Sequence, residues 1–144
     1  MAEITQEHGA ASLSVCALVR PRPSADGPQG FSYASAVSAQ SVGAKALHMQ
    51  LLTMPPGAKS KTHKHVGHET AIYVLSGVAG TWFGEQLEHH VTSRTGDFVY
   101  IAANVPHLAY NISDKEPCVA VVARTDPNDQ ESVVLLPELD GIHP

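Results

Sequence analysis

Gly57-Ala58-Lys59-Ser60-Lys61-Thr62-His63-Lys64-His65-Val66-Gly67-His68-Glu69-Thr70 carries three histidines within six positions. In an extended strand, residues two apart project to the same face. His63 and His65 can therefore aim at one ion. Histidine is the commonest protein metal ligand, and imidazole suits Zn, Cu, Fe and Ni. A solvated basic patch is the competing reading, because Lys59, Lys61 and Lys64 share the run. A further histidine, His107 in Asn104-Val105-Pro106-His107-Leu108-Ala109-Tyr110-Asn111, favours the metal. The two segments read as halves of one site.

The chain around them has 144 residues and a net charge of -5. That length suits one domain with a substantial core, and no internal repeat divides it. There is no basic cluster beyond Lys59–Lys64, which argues against a nucleic-acid partner. The N-terminus lacks a charged start followed by an apolar run, and no stretch is long enough to span a membrane. Cys16 and Cys118 are far apart and form no Cys-x-x-Cys pair. Buried free thiols and a cytoplasmic location are the expectation.

Apolar segments recur at short spacing. Strands are expected over Ser14–Arg20, Lys45–Met54, Ser60–His65, Thr70–Leu75, Val78–Phe83, Leu87–Thr92, Phe98–Ile101, His107–Ile112 and Cys118–Thr125. Pro55-Pro56-Gly57, Gly77, Gly84, Gly96 and Asp114–Pro117 mark the turns between them. Residues 1–12 are small and polar and are expected to be mobile. Pro21–Gly30 reads as a loop. Val133–Leu136 is one more strand, too apolar to hang free. No segment shows a helical period. The pattern is that of an all-β sandwich or jelly roll.

Gly57, His63, His65 and Gly77 fall at the spacing of the first motif of the cupin superfamily, which they resemble. Gly96, His107 and Asn111 match its second motif. Ala102 stands where that motif has Pro, and Asn104 where it has Gly. Asn is the residue best able to replace Gly in the left-handed region. The resemblance covers residues 45–124 and implies a single cupin domain across 1–144, with a jelly-roll fold and a metal.

The informative departure is Thr70. The superfamily's metal-binding Glu belongs there, and Glu69 lies one position early. If the strand already runs at His68, His68 and Thr70 share a face. The expected ligand set is then His63, His65, His68 and His107, with Glu69 facing away. Glu69 on a bulge and His48 are the alternatives for the fourth ligand. For His48, a hydrogen-bonded core or cavity residue is the preferred reading. Oxygen-seeking Mg and Ca are excluded. Exchanging the Glu for imidazole moves the preference from Fe and Mn toward Zn, with Ni, Fe or Cu as alternatives.

Alternation also places Ile72, Val74, Ala109 and Asn111 inward, so the pocket should be largely apolar. Such pockets suit a bulky apolar or aromatic ligand. No Ser-His-Asp or Cys-His arrangement and no phosphate-cradling glycine loop is evident. The run His-x-His-x-x-His-Glu-Thr in a short chain resembles the bacterial monocupin cyclases of aromatic polyketides, of the resistomycin type. That resemblance implies metal-assisted aldol cyclisation of a small aromatic polyketide. A dioxygenase acting on aromatic or diketone substrates is the second expectation, and a non-catalytic binding cupin the third. Family members often dimerise, so a homodimer is expected. The residue that moves the proton is not legible.

Overall fold

The structure, a computed structural model, describes residues 3–4, 16–21, 25–26, 31–129 and 132–144. Strands β1 (Glu3–Ile4) and β2 (Val19–Arg20) form a small antiparallel pair. Two larger sheets then face each other. The first has the order β10-β7-β12-β5-β4-β3: Phe98–Ile101, Thr70–Ser76, Cys118–Arg124, His48–Met54, Ser32–Val37 and Ala25–Asp26. The second has the order β13-β6-β11-β8-β9: Val133–Leu135, His63–His65, His107–Asn111, Val78–Phe83 and His89–Arg94. Every ladder is antiparallel. This is the expected all-β jelly-roll sandwich.

The inner faces divide along the strands into an apolar end and a polar end. In β12 the buried residues are Cys118, Ala120, Val122 and Arg124, one in every two. β5 answers with buried His48, Gln50, Leu52 and Met54. Their register pairs Cys118 with Met54 at one end and Arg124 with His48 at the other. Phe31, Leu52, Met54, Val74, Ala79, Cys118 and Val122 form the core cluster, so the apolar half is the packed half. Burying such side chains stabilises by about 1.5–3 kcal/mol each. The opposite end collects His48, Thr70 and Arg124 from the first sheet, and His63, His65 and His107 from the second.

A second, smaller cluster covers the outer face of the second sheet. Leu87 and Leu108 pack there against Leu139, and Trp82 stacks on His143 with ring centroids 3.5 Å apart. The C-terminal segment thus lies on its own sandwich, and β13 extends the second sheet by pairing Val134 with Lys64.

Several expectations shift in detail. The strand expected over Ser14–Arg20 is only Val19–Arg20, and residues 14 and 15 lie outside the described residues. Of residues 1–12, expected to be mobile, Glu3–Ile4 is held in a ladder and the rest lie outside the described residues. Within the expected Pro21–Gly30 loop, Ala25–Asp26 pairs with Ser32–Tyr33. Strand β4 itself was not legible, because Ser-Tyr-Ala-Ser-Ala-Val has small residues and weak alternation. The four-residue helix α1 (Ala39–Val42) was also unforeseen. It is closed by a Ser38–Ser41 capping box and by Gly43 at φ 72°. Leu87 is not in a strand. It occupies a turn at φ 52°, its N–H donating to the Gly84 carbonyl, and its fully buried side chain explains the apolar signal. Among the described residues, no helix is long and apolar enough to cross a membrane.

Candidate metal centre

Three of the expected ligands meet. His63, His65 and His107 are all buried, and their ligand atoms lie within 4.8 Å of one another. β6 supplies the first two by the two-residue alternation. β11 supplies the third, with His107 directly opposite His63 in the ladder. The ring centroids of His63 and His107 are 4.3 Å apart, and those of His63 and His65 are 5.2 Å apart.

Backbone carbonyls set the tautomers of two rings. His63 Nδ1 lies 2.7 Å from the Lys61 carbonyl, and His107 Nδ1 lies 2.9 Å from the Val105 carbonyl. A carbonyl oxygen only accepts, so each Nδ1 carries the proton and each Nε2 keeps a free lone pair. Metal-bound histidines are oriented in this way. His65 differs. Both of its ring nitrogens are buried and neither has a hydrogen-bond partner. An unpaired buried polar atom costs about 1–3 kcal/mol, and a coordinated ion would remove that cost for one of the two nitrogens. The donor set therefore fits a divalent ion.

The rings are held neutral. Burial lowers the pKa of His63 to about 4, against the opposing pull of the Lys61 carbonyl. Burial lowers His107 to about 3 and His65 to about 2. The nearby Arg124 charge pushes all three in the same direction. A neutral imidazole is the ligating form.

His68 is not in this group. The strand begins at Thr70, so His68 sits in the preceding turn, where alternation does not govern its direction. Its Nδ1 lies 2.7 Å from Ser132 Oγ and 3.8 Å from the Asp126 carboxylate. Glu69 faces away, as expected, and accepts the Tyr100 hydroxyl at 2.8 Å. His48 is a buried residue of β5 with its Nε2 3.5 Å from both Ser35 Oγ and the Asp129 carboxylate. It too stands outside the triad.

Asn111 and Asn104 have structural tasks. The Asn111 amide donates to the carbonyls of Met54, Pro55 and Glu116, tying β11 to the β5 turn and the β12 entry. Asn104 takes φ 67°, the left-handed conformation expected of a Gly replacement, and its side chain accepts the Gly67 N–H.

The residue that sequence reading missed is Arg124. It lines the cavity with His63, His107 and Thr70, and its Nε donates to Thr70 Oγ1 at 2.9 Å. Thr70 is buried on the inner face, so a Thr and a guanidinium stand where the superfamily's carboxylate was looked for. The signal was present: counted in twos from Cys118, Arg124 falls on the inner face.

The cavity beside the triad holds only about 40 Å³. Ile72, Ile101, Ala109 and Val122 form its apolar walls. Val74, expected on the wall, belongs to the packed core instead. A larger, mainly apolar cleft of about 530 Å³ lies next to it, between β10 and the β8–β9 pair, lined by Phe83, Val91, Phe98 and Val105 among others. Thr81 and Ile101 line both spaces.

Comparison with known proteins agrees with this architecture. A family model described as Cupin domain matches residues 50–124, just over half of the chain, and the chain belongs to that family. No curated protein matches it. Among solved structures it is similar to oxalate decarboxylase. A structure concerned with proton-coupled electron transfer in that enzyme is 26% identical over 76% of this chain and 29% of that one, with a TM-score of 0.64. A point variant of the Bacillus subtilis enzyme gives 25% identity, 80% and 30% coverage and a TM-score of 0.65. A study of the Mn(II) centres of the same enzyme gives the same four values. The chain thus spans under a third of the length of these structures. The relatives are enzymes and use Mn, and nothing among them singles out Zn.

Proposed function

We propose that the protein is a metal-dependent enzyme acting on a carbonyl-bearing aromatic substrate. Within that class, we infer a cyclase that closes a ring on a polyketide-type chain by aldol chemistry. The observation that carries the reading is the juxtaposition of a buried, neutral three-imidazole site with an apolar cleft. The small cavity suits the reacting end of a molecule, and the cleft suits its ring body.

A divalent ion held by His63, His65 and His107 would supply Lewis-acid polarisation of a carbonyl oxygen. Zn is the proposed ion, because the donors are all nitrogen. The chain does the rest. The Lys61 and Val105 carbonyls fix two of the rings, so little reorganisation is needed when a ligand arrives. Ile72, Ile101, Ala109 and Val122 keep the reacting end dry, which strengthens each electrostatic contact there. Phe83, Val91 and Phe98 offer the apolar contact that would hold a folded chain in place.

Oxidative chemistry is the second reading, supported by the Mn(II) centres of the similar oxalate decarboxylase. Turnover of β-polyketone substrates by the Zn-loaded protein under strict anaerobiosis separates the two. The cyclase reading expects ring closure without oxygen. Conversion only in air, or only with Mn, Fe, Ni or Cu bound, transfers the assignment to an oxygenase.

A further inference from the structure

We propose that the outer face of the first sheet is the surface on which a second copy of this chain docks, forming a two-fold dimer through β10, β7, β12 and β5. The proposal goes beyond the reading of the metal site and does not depend on it.

An antiparallel sandwich ordinarily turns polar side chains outward. Here the outward phase is apolar. Phe98, Tyr73, Val121 and Leu51 stand in register across the four strands, and Tyr100, Ala71, Ala123 and Met49 form the next row. No outward position among the described residues of these strands holds an Asp, Glu, Lys, Arg or His. The face is open to solvent: Phe98 is 78% exposed, Tyr100 63%, Met49 46% and Leu75 44%. The outer face of the second sheet differs, because Leu139 and His143 of the C-terminal segment pack on it. With strands about 4.8 Å apart and a rise of about 3.4 Å per residue, the open face measures about 500 Å² in projection. That is at the upper end of what monomers expose, and such patches are often interaction sites. Two such faces together remove about 1,000 Å² from water, the scale at which specific pairing begins. The chemistry of the face selects a copy of the chain as its occupant. A two-fold contact sets a patch against itself, so any charge on it would meet its like. This face has none, although the chain carries a net charge of -5. At its edge, the exposed Glu69, which accepts the Tyr100 hydroxyl, and the exposed Thr125 supply a polar rim of the kind interfaces have. Phe98 and Tyr100 also line the cleft, so the second copy would stand beside its mouth.

The test is sedimentation velocity of the purified full chain at tens of micromolar concentration. A dimer is expected. Val121→Glu places a charge at the middle of the face and, in a two-fold pair, sets it near its own copy. Association is expected to weaken by about a hundredfold or more, leaving a monomer with an unchanged circular dichroism spectrum. Should Val121→Glu fail to fold, Phe98→Glu takes its place, because that side chain is mostly exposed and contributes little to the monomer's core. The same shift to monomer is then expected. A natural protein that is monomeric at this concentration overturns the proposal and hands the face to another molecule. A dimer that persists undiminished in the folded variant also overturns it, because the copies would then meet through a different surface. Oligomeric state is read without substrate or turnover, so neither result bears on the metal-enzyme reading.

Discussion

At the residue scale, the same side-chain type serves different ends according to its backbone. His63 and His107 each have a carbonyl two residues earlier in the chain that accepts a hydrogen bond from the Nδ1 N–H. His68 has a hydroxyl and a carboxylate beside its Nδ1 instead. His63, His65 and His107 were legible because two sit on one short strand and the third falls in a turn–strand pattern of fixed spacing. His68 was less legible, because its position relative to the start of β7 decides its direction and it precedes that strand. Arg124 escaped because a charged residue at the end of an apolar strand reads as its exit into solvent. Asn111 carries a prediction at this scale. Asn111→Ala removes the buried amide that donates to the Met54, Pro55 and Glu116 carbonyls and ties three segments together. The expected loss is about 2–3 kcal/mol of unfolding free energy by urea denaturation. An unchanged midpoint and slope would contradict the latch role.

At the scale of elements, alternation made the central strands legible and turn chemistry made their ends legible. β5, β7, β8 and β12 are found close to where apolar spacing put them. β4 and α1 were not, since Ser and Ala carry little directional signal and a four-residue helix has no period to read. Leu87 shows a different limit: a turn residue can be as buried as a strand residue when a terminal segment folds over it. Gly77 is the turn whose chemistry is most constrained. It has φ 95°, and an added Cβ would lie 2.8 Å from the Pro117 carbonyl oxygen and 2.9 Å from Cys118 Cα. Both obstacles are backbone at the β12 entry. Gly77→Ala is therefore expected to cost about 2 kcal/mol or more, combining left-handed strain with overlap. Thermal unfolding several degrees lower checks this, whereas Gly57→Ala, with open space around it, should show the strain alone.

At the scale of the whole molecule, the site is the polar end of a sandwich whose other end is ordinary core, and that division has a consequence in acid. His63, His65 and His107 have folded-state pKa values lowered to about 4, 2 and 3. In the unfolded chain they titrate near 6.5, so below that pH the unfolded state binds more protons. Stability is therefore full above about pH 6.5 and falls as pH drops toward 4, by at most about 1.4 kcal/mol per pH unit for each histidine. The metal-free protein should show this loss in urea titrations at pH 7, 6 and 5. Replacing His65 with Leu should flatten the curve, and an unaltered slope would show that the imidazoles are not the cause. A bound ion competes with protons on the folded chain, where the highest of the three values is about 4, so its affinity for the folded protein should hold down to about pH 4 and decline below it. The central claim, that the buried triad holds one divalent ion, is tested most directly by elemental analysis of untagged protein and its single His→Ala variants. One equivalent of metal per chain is predicted, lost on substitution of His63, His65 or His107 and retained in His68→Ala. Protein that never takes up metal, or His107→Ala that keeps its full complement, would contradict it.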